Sequence, residues 1–283
     1  METHAPGPLS PPPARPAQPP IARPVAGPEV PLLVCLHGWL LSGRLWDPLQ
    51  EALAPRWPVW APDLPGFGQR PRPRSLQPTL ASYGRWVAQA SVREAHGRPI
   101  VLVGHSLGGS VALHAAAALG DQLLALVQIS TGGGVYQPRP FARLRWAGSA
   151  VVRLRPRWLA DLPGVGAFRS PLVADQRAAR GLLACSTNRR AVHQLPTLTA
   201  RLSVPSLWIS GSRDGVMEPR YVRHLAGYAP LHEVELLEGM GHLPMRQDPG
   251  QLASLIDRWL EPLVAERPQS LASPRSWRSA SWA

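Results

Sequence analysis

The chain has 283 residues, 45% hydrophobic and 17% charged, which is enough apolar material for one large α/β domain with an insertion and excludes global disorder. Its formal net charge of +12 is carried by arginine alone, since the sequence contains no lysine. Between Gly132 and Arg201 twelve arginines face only Asp161 and Asp175, so the basic character belongs to one segment, and without a recognition motif it does not support nucleic-acid binding. Met1 to Pro31 hold 11 of the 34 prolines, including Pro11-Pro12-Pro13, and residues 1–30 are read as a disordered leader. No basic segment followed by an apolar stretch marks a secretory signal, and no apolar run reaches the ~18 residues of a membrane span. Cys35 and Cys185 are too few for a disulfide scaffold and lack metal-ligand spacing, so a cytoplasmic protein with no metal and no cofactor is expected.

Past the leader, short apolar runs alternate with helical patterns. Strands are expected at Leu32–Leu36, Val59–Ala61, Ile100–Val103, Leu123–Ile129, Ser206–Ser210 and His232–Leu237. Helices are expected at Thr79–Ala95, Leu107–Leu119 and Asp248–Leu263. This rhythm predicts an α/β fold with a mostly parallel sheet covered by helices on both faces. Residues 132–202 break it with Arg-rich, helix-like sequence and are read as an inserted lid. The core then comprises residues 31–131 and 203–263, and a Ser- and Arg-rich disordered tail follows over 264–283.

Gly104-His105-Ser106-Leu107-Gly108 stands between a buried strand and an Ala-rich helix, the setting of a nucleophile elbow. Such a turn strains the serine backbone and demands residues nearly devoid of side chain two positions either side, which Gly104 and Gly108 supply. It also lifts the Ser106 hydroxyl to a helix N-terminus, where developing negative charge is favoured. A serine needs a base, and the base needs an orienting acid. Asp214 follows the strand ending at Ser210, and His242 follows the strand ending at Leu237 in a Gly-flanked loop, giving the chain order Ser, Asp, His. His4, His96, His114, His193, His224 and His232 lack such a setting, while His37 and His105 flank the site. Asp63 precedes the serine and is read as bracing its loop. Oxyanion donors are expected from the backbone N–H groups of Leu107 and Trp39, and His37, Gly38 and His105 are taken as substrate-binding.

Together His37-Gly38-Trp39, Asp63-Leu64-Pro65-Gly66-Phe67-Gly68, Gly104 to Gly109, Asp214 and Gly241-His242 resemble the α/β-hydrolase superfamily in its esterase and epoxide-hydrolase-like branch, over about Pro31 to Leu263. The resemblance implies a helical cap after the sixth strand of the family scheme, matching residues 132–202. Dehalogenases and epoxide hydrolases of that branch use an aspartate where Ser106 stands, which disfavours their reactions. The family also begins with two antiparallel strands. Here the corresponding residues are Pro-rich, with Ile21 to Val25 the sole faint candidate, so the sheet is expected to start at the family's third strand or to have a degenerate edge.

The expectation is a serine esterase acting on a hydrophobic small-molecule ester. Its alternatives are a carbon–carbon bond hydrolase or perhydrolase with the same triad, and a binding protein that no longer turns over. In the lid, Leu144, Ala147, Val151, Leu154 and Trp158 recur at helical spacing among five arginines, with Arg143 and Arg155 at the stripe's margins and Pro156 cutting it. The preferred reading packs that stripe on the pocket; the sharper one lays it against anionic lipid or an amphipathic substrate. No motif calls for a protein partner.

Overall fold

The computed structural model describes residues 30–155 and 169–265; residues 1–29, 156–168 and 266–283, which hold Trp158 and most of the expected leader and tail, lie outside them. Apolar runs without polar alternation give four inner strands that are almost wholly buried, and two more open strands form the edges. They are β1 Leu32–Leu36, β2 Val59–Trp60, β3 Ile100–His105, β4 Leu123–Ile129, β5 Ser206–Gly211 and β6 His232–Leu237. All pair in parallel, in the order β2-β1-β3-β4-β5-β6. Side chains alternate between two apolar layers: Val34, Leu36 and Leu102 face one, Leu33, Cys35 and Val103 the other. At the β6 edge only Leu237 is buried, and Glu233 and Glu235 stand exposed, so the expected double helical cover stops short there.

The first layer is built on α2 Leu80–Ala95 and α3 Leu107–Leu119. Thr79 caps α2, its hydroxyl oxygen accepting from the Ser82 N–H at 3.2 Å. Gly84 lets α2 lie almost backbone to backbone on α3, since a Cβ there would meet His114 Cβ at 2.4 Å. The opposite layer holds α1 Asp47–Leu53, α9 Pro244–Gln247 and α10 Pro249–Ala265. The segment between β4 and β5 is helical where described, with α4 Pro138–Leu154, α5 Arg169–Val173, α6 Gln176–Ser186 and α7 Arg189–Ala200; α8 Pro219–Ala226 follows β5.

One expectation is corrected here. The α4 stripe of Leu144, Ala147, Val151 and Leu154 does not pack on the core: all four are exposed, and the buried residues of the helix are Gly148 and Val152. Gly148 faces inward because the Trp39 indole and Leu183 come so close that a Cβ would meet them at 2.8 and 2.5 Å.

Strand order positions the site. From β1 the chain steps to β2 on one side and then back to β3 on the other, so the order in which strands are added reverses between β1 and β3. Ligands of open parallel sheets bind beyond the carboxyl ends at such a reversal. There the loop Gly38-Trp39 leaves β1 and Ser106 leaves β3.

Candidate active site

Ser106 follows the last residue of β3 and adopts φ 53°, ψ −119°, a conformation costing a non-glycine residue about 1–3 kcal/mol. Its neighbours fix it: the Ser106 N–H donates to the Ile129 carbonyl at 3.0 Å, and the Thr131 hydroxyl donates to the Ser106 carbonyl at 3.3 Å. The flanking glycines are sterically required. A Cβ on Gly104 would meet Gly109 Cα at 2.5 Å, and one on Gly108 would meet the Leu36 and His37 carbonyl oxygens at 2.3 and 2.6 Å. Among the described residues neither the Leu107 nor the Trp39 N–H donates a hydrogen bond, so both remain available to an oxyanion.

Asp214 lies past β5 and is 3% exposed. Its Oδ2 accepts from His242 Nδ1 at 2.8 Å, and its Oδ1 accepts from the Val216 and Met217 N–H groups at 2.9 and 2.8 Å. Burial alone would raise the carboxyl pKa; the His242 bond and the Met217 N–H outweigh it and hold the group below the ordinary value. The Ser130 side chain assists from nearby without a hydrogen bond within 3.5 Å. With Nδ1 engaged, the His242 Nε2 is the nitrogen left for proton transfer. The ring makes no hydrogen bond to Ser106 in this conformation; its closeness to the elbow is recorded by His105, whose ring centroid is 4.8 Å from that of His242.

His37 and His105 are not surfaces a substrate can touch here, which corrects their expected binding role: they are 0% and 1% exposed. His37 Nε2 accepts from the Leu64 N–H at 3.0 Å and its Nδ1–H donates to the Gly38 carbonyl at 2.8 Å, stitching the β1 loop to the loop after β2. His105 Nε2–H donates to the His242 backbone carbonyl at 2.9 Å, tying the elbow to the histidine loop. Burial lowers the His37 pKa to about 4 and the His105 pKa to about 3, so both rings are neutral at physiological pH. Gly38 packs against the His105 ring, where a Cβ would meet Nδ1 at 2.9 Å. Asp63 braces its loop, accepting from Gly43 N–H and Gln69 N–H, each at 2.7 Å.

Sequence reading missed the groups that support these residues. The Asp214 turn was legible in principle, since Asp followed by Gly commonly folds its carboxylate onto N–H groups two and three positions on. The role of Thr131 was not, because it depends on β4 lying beside β3. A surface depression bordered by Gln176, Arg177 and Arg180 lies on α6 and contains none of the site residues.

A model of the Alpha/beta hydrolase family matches residues 33–255. The chain belongs to the alpha/beta hydrolase family. The hydrolase is 30% identical over 263 residues to the pimeloyl-[acyl-carrier protein] methyl ester esterase of Xanthomonas campestris pv. campestris strain B100, covering 82% of this chain and 96% of that one. It is 32% identical over 254 residues to the enzyme of the same name from Xanthomonas axonopodis pv. citri strain 306, covering 81% and 95%. A thermophilic esterase from Thermogutta terrifontis shares the fold at TM-score 0.67 and 23% identity, over 83% of this chain and 90% of that one. With relatives so named, the hydrolase is of the esterase type.

Proposed function

We propose that this hydrolase cleaves a carboxylic ester of a hydrophobic acyl group through an acyl-enzyme on Ser106. The 2.8 Å pairing of Asp214 with His242, beside a serine held at positive φ, carries the reading. In it, Ser106 Oγ bonds to the ester carbonyl carbon as its proton passes to His242 Nε2. Asp214 holds the imidazole in the required tautomer and balances the imidazolium. The Trp39 and Leu107 N–H groups receive the oxyanion. The carbon–alkoxy bond then breaks, the alcohol leaving with the proton from His242. Water, giving a proton to the same nitrogen, releases the acid and restores the serine.

The short approach of α4 to Trp39 supports a cap over the acyl side of the site. The name borne by the curated relatives points to a methyl ester, hence a small alcohol as leaving group. Ser106→Ala should reduce kcat on a short aryl ester by at least ~10⁴-fold while the circular dichroism spectrum is unchanged. A fluorophosphonate probe should label the parent and spare the variant. Turnover retained in Ser106→Ala would refute the assignment, and a panel of methyl esters would report the acyl length.

A further inference from the structure

We propose that the outward face of α4 is a docking surface for anionic lipid, by which the hydrolase associates peripherally with a negatively charged membrane. On a helical wheel Leu144, Val151, Leu154, Arg143, Trp146 and Arg153 fall in that order along one arc of about half the circumference. Leu144 and Val151 are 47% and 53% exposed, and Trp146 and Leu154 are each 77% exposed. Solvated surface seldom leaves an aromatic and three aliphatic side chains open side by side without an interaction to serve.

The charges on the helix divide in the same sense. Arg145 turns inward and donates to the Thr187 carbonyl at 2.8 Å. Arg143 and Arg153 are exposed and form no ion pair among the described residues, and α4 contains no acidic residue. Aliphatic chains that can enter the acyl boundary, an indole at headgroup depth and guanidinium groups for lipid phosphate are what an interfacial helix requires. An acidic protein surface without an apolar patch would satisfy the arginines and leave Leu154 and Trp146 in water, whereas an anionic bilayer takes up both, so charge and exposure together favour lipid. The opposite face, Gly148 and Val152, stays locked on the body of the protein, so docking needs no unfolding of the helix.

The test is co-sedimentation of the full chain with vesicles of phosphatidylcholine alone or with about 30 mol% phosphatidylglycerol. At low salt, partitioning onto the anionic vesicles should exceed that onto neutral ones by about tenfold or more and collapse in high salt. The double substitution Val151→Asp with Leu154→Asp, at exposed positions, should abolish it with the thermal melt unchanged. Arg143→Gln with Arg153→Gln should weaken it about tenfold, and Trp146→Phe should remove a lipid-dependent blue shift of the emission. No binding to anionic vesicles would overturn the proposal. So would binding unaffected by the aspartates, which would assign it to adsorption of other basic segments such as the one holding Arg267, Arg275 and Arg278. A concentration-dependent dimer dissociated by Leu154→Asp would make the face a self-contact. Vesicles ignored while a small acidic protein binds through the arginines would make it a protein site.

Discussion

His105 joins two parts of the site that are far apart in sequence. Its backbone belongs to the strand that presents Ser106, and its side chain donates to the carbonyl of His242. Removing the donor while keeping a ring, as in His105→Phe, should lower kcat on an aryl ester about tenfold with KM nearly constant, because in the proposed mechanism a lost positioning bond of about 1–1.5 kcal/mol is felt when the His242 imidazole moves protons. His105→Gln, which retains an N–H near the same place, should recover part of the loss. Equal activity of the phenylalanine variant would show that the His242 loop holds itself. The candidate triad was legible residue by residue: the elbow needs glycines at fixed offsets, and the acid and base each follow a strand. The roles of His37 and His105 were not, because a histidine beside a nucleophile looks the same in sequence whether its ring faces a ligand or a backbone carbonyl. Complete burial decided between them.

Among the elements, α6 shows how the helices between β4 and β5 are held to the body. Asp175 caps it, Oδ1 accepting from the Ala178 N–H at 2.7 Å and from Arg72 Nε at 3.1 Å, while its own N–H donates to the Gly66 carbonyl at 2.6 Å. Trp39 Nε1–H donates to the Ala179 carbonyl at 2.8 Å, so the loop expected to bind the oxyanion touches the same helix. Asp175→Ala removes a cap worth about 0.5–2 kcal/mol and takes the carboxylate from a largely buried guanidinium, which keeps, among the described residues, only its hydrogen bonds to the Pro73 and Leu76 carbonyls. Amide exchange should accelerate across α6 with little change in the β-sheet; uniform protection in the variant would refute this anchoring. The orientation of α4 escaped sequence reasoning for a related cause. Both of its faces carry apolar residues at helical spacing, and the larger ones would be expected inside. Instead the inward position went to Gly148, because the gap left beside Trp39 and Leu183 admits no side chain.

For the whole molecule, the two fully buried imidazoles couple stability to pH. The unfolded chain takes up protons on His37 and His105 near the ordinary pKa of 6.5, whereas the folded chain resists until about 4 and about 3. Their contribution is therefore intact above about pH 6.5 and is lost as pH falls through that window, at about 2 kcal/mol per ring by pH 5. The urea midpoint should drop accordingly between about pH 7.5 and pH 5, and His37→Asn, which does not titrate, should drop less. A midpoint independent of pH over this range would mean that the rings hydrate or open on protonation.

Uninterrupted apolar runs at the inner strands, their alternation with helical patterns and the glycine offsets of the elbow were enough to specify a parallel sheet with a serine at the end of a central strand. They are local demands: a strand buried on both faces tolerates no polar alternation, and a strained turn tolerates no side chain. What only the tertiary structure decided is the order in which strands lie side by side, and hence that β1 and β3 bring Trp39 and Ser106 to the same edge of the sheet, that His105 meets a carbonyl from beyond β6, and that α4 turns its leucines outward. Each depends on the space left by residues distant in sequence, and that space exists only once the sheet has formed.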